Sequence, residues 1–280
     1  MYKDLPSASD GTAFLIRTRL FPPNSCNGNH TGCIEMSNYI YEPRTYRNQV
    51  HGTDLISFGV TIKETDLYIR ARKNLRSKAE RLVEKYRSIL EKYIVRYPDF
   101  LMTLEPFSPG DNTPLIVKDM AKSAAAAGVG PMAAVAGAIA EYVGRELFEY
   151  SSEVIVENGG DIFMKSLSPR TVSIYAGKSP LSNKIALEIS PEDTPLGICT
   201  SSGTVGHSLS YGKADAVVVV SPSSSLADAV ATAAGNLVKT EADIQAGLEF
   251  SEKITGVKGA LIIINDKMGV HGNLKLSRMD

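Results

Sequence analysis

A chain of 280 residues with 43% hydrophobic and 22% charged residues and a net charge of -1 is long enough to bury a sizeable core. Neither disorder nor a polyelectrolyte partner fits that balance. No strongly basic face of the kind nucleic acid requires is visible. The one basic run, Arg70–Lys78, reads as the end of a strand entering a helix.

No apolar run reaches the roughly 18 residues that cross a bilayer. The longest, Ala121–Val143, is rich in Ala and Gly, carries Lys122 and Glu141, and reads as a buried helix pair. The start, MYKDLPSASDG, lacks a basic segment followed by an apolar core, so no signal peptide is expected. Three cysteines allow at most one intrachain disulfide and leave a thiol over. That points to a reducing compartment and a cytoplasmic protein.

Residues 1–40 hold Pro6, Pro22, Pro23 and the polar run Asn24–Gly32 around a β-like piece, Ala13–Phe21. They read as a loosely attached N-terminal extension, with Met36 as an alternative start. Residues 41–280 are expected to form one domain. Phe58–Ala71 reads as a hairpin: Val60 and Ile62 alternate with polar neighbours, Glu64–Asp66 turns the chain, and Leu67 and Ile69 resume the alternation. From Ser77 to Tyr97 the period becomes helical, and Pro98 ends it. Phe107–Thr113 is a loop. Pro114–Ala127 and Pro131–Tyr150 read as helices separated by Gly128–Gly130, with Pro131 suited to a first turn.

Strands are expected at Val154–Val156, Ile162–Met164, Val172–Ala176 and Ile185–Ile189, with Ala216–Val220 as a buried central strand. Ser225 is expected to cap a helix running through Val238. A helix at Glu241–Phe250 and a last strand at Ala260–Asn265 follow. Strands and helices mix without strict alternation, so the fold class is α+β.

Four stretches carry candidate chemistry. In Asn158-Gly159-Gly160-Asp161, two glycines allow positive φ and close approach to a ligand, and Asp161 can accept from a ribose hydroxyl or an amide. A tight strand-to-strand turn explains the same residues. Cys199 to His207 combines a thiol, small hydroxyl residues, two glycines and an imidazole. The loop through Ser201, Ser202 and Gly203 can offer N–H groups to phosphate. Cys199 is a nucleophile if His207 lowers its pKa, or a small buried apolar residue at a strand end. Asp228 and Thr232, four apart, share one helix face. They suit a hard cation such as magnesium that bridges phosphates, or else Asp228 serves the helix N-terminus and Thr232 packs. Cys26, His30 and Cys33 read as a zinc half-site, a redox or persulfide pair, or incidental cysteines.

Glu157-Asn-Gly-Gly-Asp-Ile162, Ser201-Ser-Gly-Thr204 and Leu226-Ala-Asp-Ala-Val-Ala-Thr232 occur in the order seen in ApbE-type flavin transferases, and resemble their GGDI strand end, TSG loop and ADALST helix start. AGVGPMAAVAGAIAE over Ala127–Glu141, joined to VENGGDIF, is more similar still to the ApbE-related UPF0280 family, from about Tyr46 onward. The resemblance implies an ApbE-like mixed sheet with packed helices. It also implies FAD or another nucleotide as ligand and magnesium as cofactor. By the same resemblance, Asp228 and Thr232 match the metal helix, Gly159–Asp161 the flavin-side turn, and Ser202 and Gly203 the loop.

Two pieces of the pattern are missing. The AKGYAVD-like helix start corresponds to Pro131–Gly137 without its lysine and aspartate. The HIIDPxTG loop is reduced to His207–Lys213. Phosphoryl-type transfer needs such groups to neutralise charge, which argues against FMN transfer and leaves nucleotide binding. Two alternatives follow from the residues: a thiol- or persulfide-carrying protein of sulfur assimilation, and a non-catalytic scaffold whose Ala/Gly-rich helix packs against a protein partner or a second copy.

Overall fold

The computed structural model describes residues 54–205 and 210–279. The N-terminal extension with Cys26, His30, Cys33 and Met36, and also His207, lie outside the described residues.

Strands β1 (Ile56–Ile62) and β2 (Thr65–Ala71) form the expected hairpin, but its turn is Lys63-Glu64, with Lys63 at φ 53°. Thr65 already pairs with Ile62, because Thr65, Leu67 and Ile69 are the alternate residues that face the core. A two-residue turn with positive φ matches the twist of the strands. Helix α1 (Arg76–Arg96) buries Ala79, Val83, Tyr86, Leu90 and Ile94, one stripe at helical spacing. Its Arg87 reaches the Thr65 hydroxyl and the Glu64 carboxylate, both at 2.7 Å, and ties the helix to the hairpin turn.

A short helix α2 (Asp99–Met102) leads through a loop to α3 (Leu115–Ala127), which stops at Gly128 in the left-handed conformation, φ 68°. The second expected helix begins as a 3₁₀ turn at Pro131–Ala134 and becomes α4 (Val135–Leu147), ending three residues short of Tyr150. The path bends by 106° between α3 and α4. Among the described residues no single helix is long and apolar enough to cross a membrane, and the bent pair packs its apolar residues in the core.

Strands β3 (Val154–Asn158), β4 (Asp161–Lys165), β5 (Arg170–Ser173) and β6 (Ile185–Ile189) follow. The β5 ladder starts and stops earlier than Val172–Ala176, because Ile174 enters a turn closed by its hydrogen bonds with Ile185 and Asn183. Strand β7 (Leu196–Ser201) is unpredicted: Gly, Cys, Thr and Ser dilute its apolar signal. Strand β8 (Ala216–Ser221) is buried at every position. Helix α5 (Ser224–Leu237) is capped by Ser223 rather than Ser225, its hydroxyl accepting from Leu226 N at 3.3 Å. Helix α6 (Ile244–Glu252) follows a 3₁₀ turn at Glu241–Asp243, and β9 (Gly259–Ile264) is not the last strand. The strands β10 (Lys267–Gly272) and β11 (Leu276–Arg278) follow it, their pattern weakened by glycine and charge.

The main sheet is eight-stranded and antiparallel, in the order β1-β2-β3-β4-β7-β8-β9-β10. A second sheet, β11-β6-β5, stacks over its centre. The helices cover one face around Val156, Phe163, Val217 and Ile262; the second sheet covers the other around Met164, Ile198, Val218 and Ile263. Strand β8 is therefore sealed on both sides, which explains its unbroken apolar run.

The margin of the sheet is held by ions. Arg170 bridges Asp54 and Glu153, at 2.7 and 2.9 Å, and Arg72 pairs with the same Glu153. Burial pushes the Glu153 carboxyl up, but the Leu167 N–H, the Ser166 hydroxyl and the two guanidiniums outweigh it and hold the group at about 2. A depressed carboxylate stabilises the fold above its ordinary value of 4.5 and loses that contribution as pH falls toward 2. Glu153→Gln should cost on the order of 2–3 kcal/mol at neutral pH. Urea unfolding at pH 7, 4.5 and 3 should show the deficit shrinking with acidity; a constant deficit would refute the linkage.

Candidate functional site

Strands β3 and β4 are joined by Gly159 at φ 67° and Gly160 at φ 105°, a conformation that side-chain-bearing residues rarely adopt. This two-residue turn lies beside the end of β7. A Cβ placed on Gly160 would be 3.9 Å from the Thr200 carbonyl, and Asp161 Oδ1 accepts from Thr200 N at 3.2 Å. On the other side, Asn158 Nδ2 donates to the Ala136 carbonyl at 3.0 Å, at the start of α4. The turn thus docks on both the sheet and a helix.

Helix α5 completes the arrangement. Asp228, half-buried one turn in, accepts from Gly137 N at 2.9 Å. Thr232 follows one turn on, also half-buried. Ser201, ending β7, approaches the last turns of α5, its Oγ 3.6 Å from a Cβ placed on Gly235. Asn158, Gly160, Asp161, Ser201 and Asp228 therefore come from four elements to one end of the sheet.

The loop after β7 is folded inward. Ser202 Oγ accepts from Thr204 N at 3.1 Å and Val205 N at 2.9 Å, and Gly203 N donates to the Ala214 carbonyl at 2.9 Å. These N–H groups are engaged within the protein, unlike the expected phosphate cradle. A Cβ on Gly203 would fall 2.2 Å from the Gly212 carbonyl, so the loop's neck is closed.

Cys199 is fully buried in β7, its thiol 3.3 Å from the Ser224 carbonyl. Burial first, and then the Asp161 and Asp228 carboxylates, push the thiol well above its ordinary value. The reactive form is the thiolate, and this environment suppresses it. The structure thus corrects the nucleophile reading in favour of a small buried residue.

Among the described residues no three His, Cys, Asp or Glu side chains gather to hold a metal. Asp228 and Thr232 present one carboxylate and one hydroxyl. That is enough only for a cation such as magnesium, which takes its remaining ligands from phosphate and water.

Sequence reasoning missed two features. A cavity of about 360 Å³, lined by Lys178, Ser179, Pro180, Asp215, Asn265 and Asp266, opens at the same end of the sheet. Asp215 links it to the loop by accepting from Thr204 Oγ1 at 2.9 Å. The turn residues Asn265 and Asp266 were the available signal, hidden by reading Asn265 as the end of a last strand. The second feature is Glu141, whose carboxylate meets the first turn of α5.

Known proteins agree with this architecture. The family described as AbpE bacteria matches residues 47–268. The flavin transferase ApbE from Vibrio cholerae superposes with a TM-score of 0.50 at 15% identity, covering 78% of this chain and 96% of that one. The ApbE protein from Thermotoga maritima gives 0.50 at 11% identity, covering 78% and 97%. The fold is thus the α+β fold of ApbE proteins. Among sequences, a UPF0280 protein of Methanocella arvoryzae is 45% identical over 193 residues, 69% of this chain and 78% of the relative. A UPF0280 protein of Methanocaldococcus jannaschii is 39% identical over 221 residues, 77% and 90% of the two chains. The chain belongs to the UPF0280 family.

In a Cys26→Ser, Cys33→Ser background, Cys199 should react with a thiol reagent at neutral pH only on unfolding. Native-state modification as fast as that of a model thiol would contradict the buried placement.

Proposed function

We propose that this protein binds FAD or another nucleotide through magnesium, at the end of the sheet where the Gly159–Gly160 turn and α5 lie. The observation that carries the reading is the meeting of segments far apart in sequence: Asp161 on Thr200, and Asp228 on Gly137, at one end of the sheet. Asp228 and Thr232 would hold the cation, and Gly159, Gly160 and Asp161 would face the flavin side. A bound magnesium ion would neutralise phosphate charge. The protein's own part is to fix the carboxylate, through the Gly137 N–H, and to keep the turn open to ligand. Ser201, Ser202 and Gly203 would form the wall beside it.

The stretch that corresponds to the AKGYAVD helix start, Pro131–Gly137, lacks its lysine and its aspartate. Binding is therefore the primary function proposed, with FMN transfer to a protein hydroxyl as the activity to be tested. Burial of Cys199 removes the reactive group that a thiol-carrying role needs among the described residues.

Titration of FAD with magnesium should show saturable binding, weakened at least about tenfold in Asp228→Ala, or about 1.4 kcal/mol. Release of AMP with a flavin adduct on a protein would establish transfer. Absence of binding of FAD, FMN and ATP to the wild type at high micromolar concentration would end the proposal.

A further inference from the structure

Helices α4 and α5 are joined by two carboxylates, one from each. The N–H of Gly137, the third residue of α4 just past the 3₁₀ turn Pro131–Ala134, points to α5. Asp228 of α5 accepts it at 2.9 Å. In return, Glu141 of α4 accepts through Oε2 from the first two N–H groups of α5, Ser224 at 2.8 Å and Ser225 at 3.4 Å, and from the Ser223 hydroxyl at 3.0 Å. Its Oε1 takes the Arg145 guanidinium at 2.7 and 2.9 Å. Glu141 is 7% exposed.

Glu141 lies at the start of α5, where the helix dipole favours negative charge. A free helix N-terminus would draw a ligand phosphate; here Glu141 already occupies that of α5. Its role is therefore to hold the helix rather than to meet the ligand. Asp228 lies one turn beyond the groups that Glu141 holds. A change in the height or rotation of α5 would carry Asp228 away from Gly137.

We infer that Glu141 is a positioning residue: by capping α5 it places Asp228 on the Gly137 N–H and so sets the carboxylate for the cation of the nucleotide site. The functional half rests on the binding reading above. The structural half, that Glu141 governs the Asp228–Gly137 contact, stands apart from it.

The test compares wild type, Glu141→Ala, Glu141→Gln and Asp228→Ala with Leu261→Ala, a core lesion on the opposite face of the sheet. Amide hydrogen exchange at Gly137 is measured without ligand, and FAD is titrated with and without magnesium. Glu141→Ala should speed Gly137 exchange at least tenfold beyond Leu261→Ala under conditions of matched thermal stability. Glu141→Gln, which keeps one acceptor oxygen, should fall between Glu141→Ala and wild type. The gain in FAD affinity given by magnesium should collapse in Glu141→Ala as in Asp228→Ala, and persist in Leu261→Ala. Unchanged Gly137 exchange in Glu141→Ala would overturn the inference. So would affinity losses equal with and without magnesium, the mark of a merely structural role. If wild type binds no FAD, the binding reading fails by itself, and Gly137 exchange still decides what Glu141 does.

Discussion

The close approach at Ser224 is the constraint on which the site depends. A Cβ on Gly137 would lie 2.2 Å from the Ser224 carbonyl, and one on Gly197 would lie 2.4 Å from the Ser224 hydroxyl. The start of α5 is thus pressed between α4 and β7, with room for glycine alone on both sides. Ser224 joins its neighbours by hydrogen bonds as well: its hydroxyl donates to the Ile162 carbonyl at 3.1 Å, and its carbonyl accepts from Cys199. Fully buried, it fixes where α5 stands relative to α4, β4 and β7. Everything Asp228 and Thr232 can reach follows from that placement.

Charge has the second say. Asp161, Asp228 and Glu141 accept from the N–H groups of Thr200, Gly137 and Ser224 respectively, around the meeting of β7, α4 and α5. Carboxylates gathered at half-buried positions repel one another unless donors offset their charge, because such charges are poorly screened. Two of the acids are already committed to backbone N–H groups that offset their charge, Glu141 at the N-terminus of α5 and Asp228 at Gly137. The same hydrogen bonds hold the two helices together.

The two-sheet construction sets the environment of this end of the sheet. Strands β7, β8 and β9 are covered on both faces, so their ends, not their faces, are where ligand can meet backbone. At this end lie the glycine turn, the loop pinned at Gly203 and Gly212, and the cavity beside Asp215.

The sequence alone determined the periodic elements: the β1–β2 hairpin, the stripe of α1, and the doubly buried β8. It also determined that Gly159-Gly160 is a turn and that Asp228 and Thr232 share a helix face. Those are local facts of spacing and backbone freedom. It did not reveal β7, whose glycine and hydroxyl residues are in a strand only because β4 and β8 pair with it, nor β10 and β11, whose patterns are broken by glycine and charge. It left Cys199 open between nucleophile and buried residue, since reactivity depends on what surrounds the sulfur. It gave no sign that Glu141, an acid within an Ala-rich helix, faces the N-terminus of a helix 83 residues away. Long-range packing decided these points, because hydrogen bonds between helix ends depend on which elements meet and not on their order in the chain.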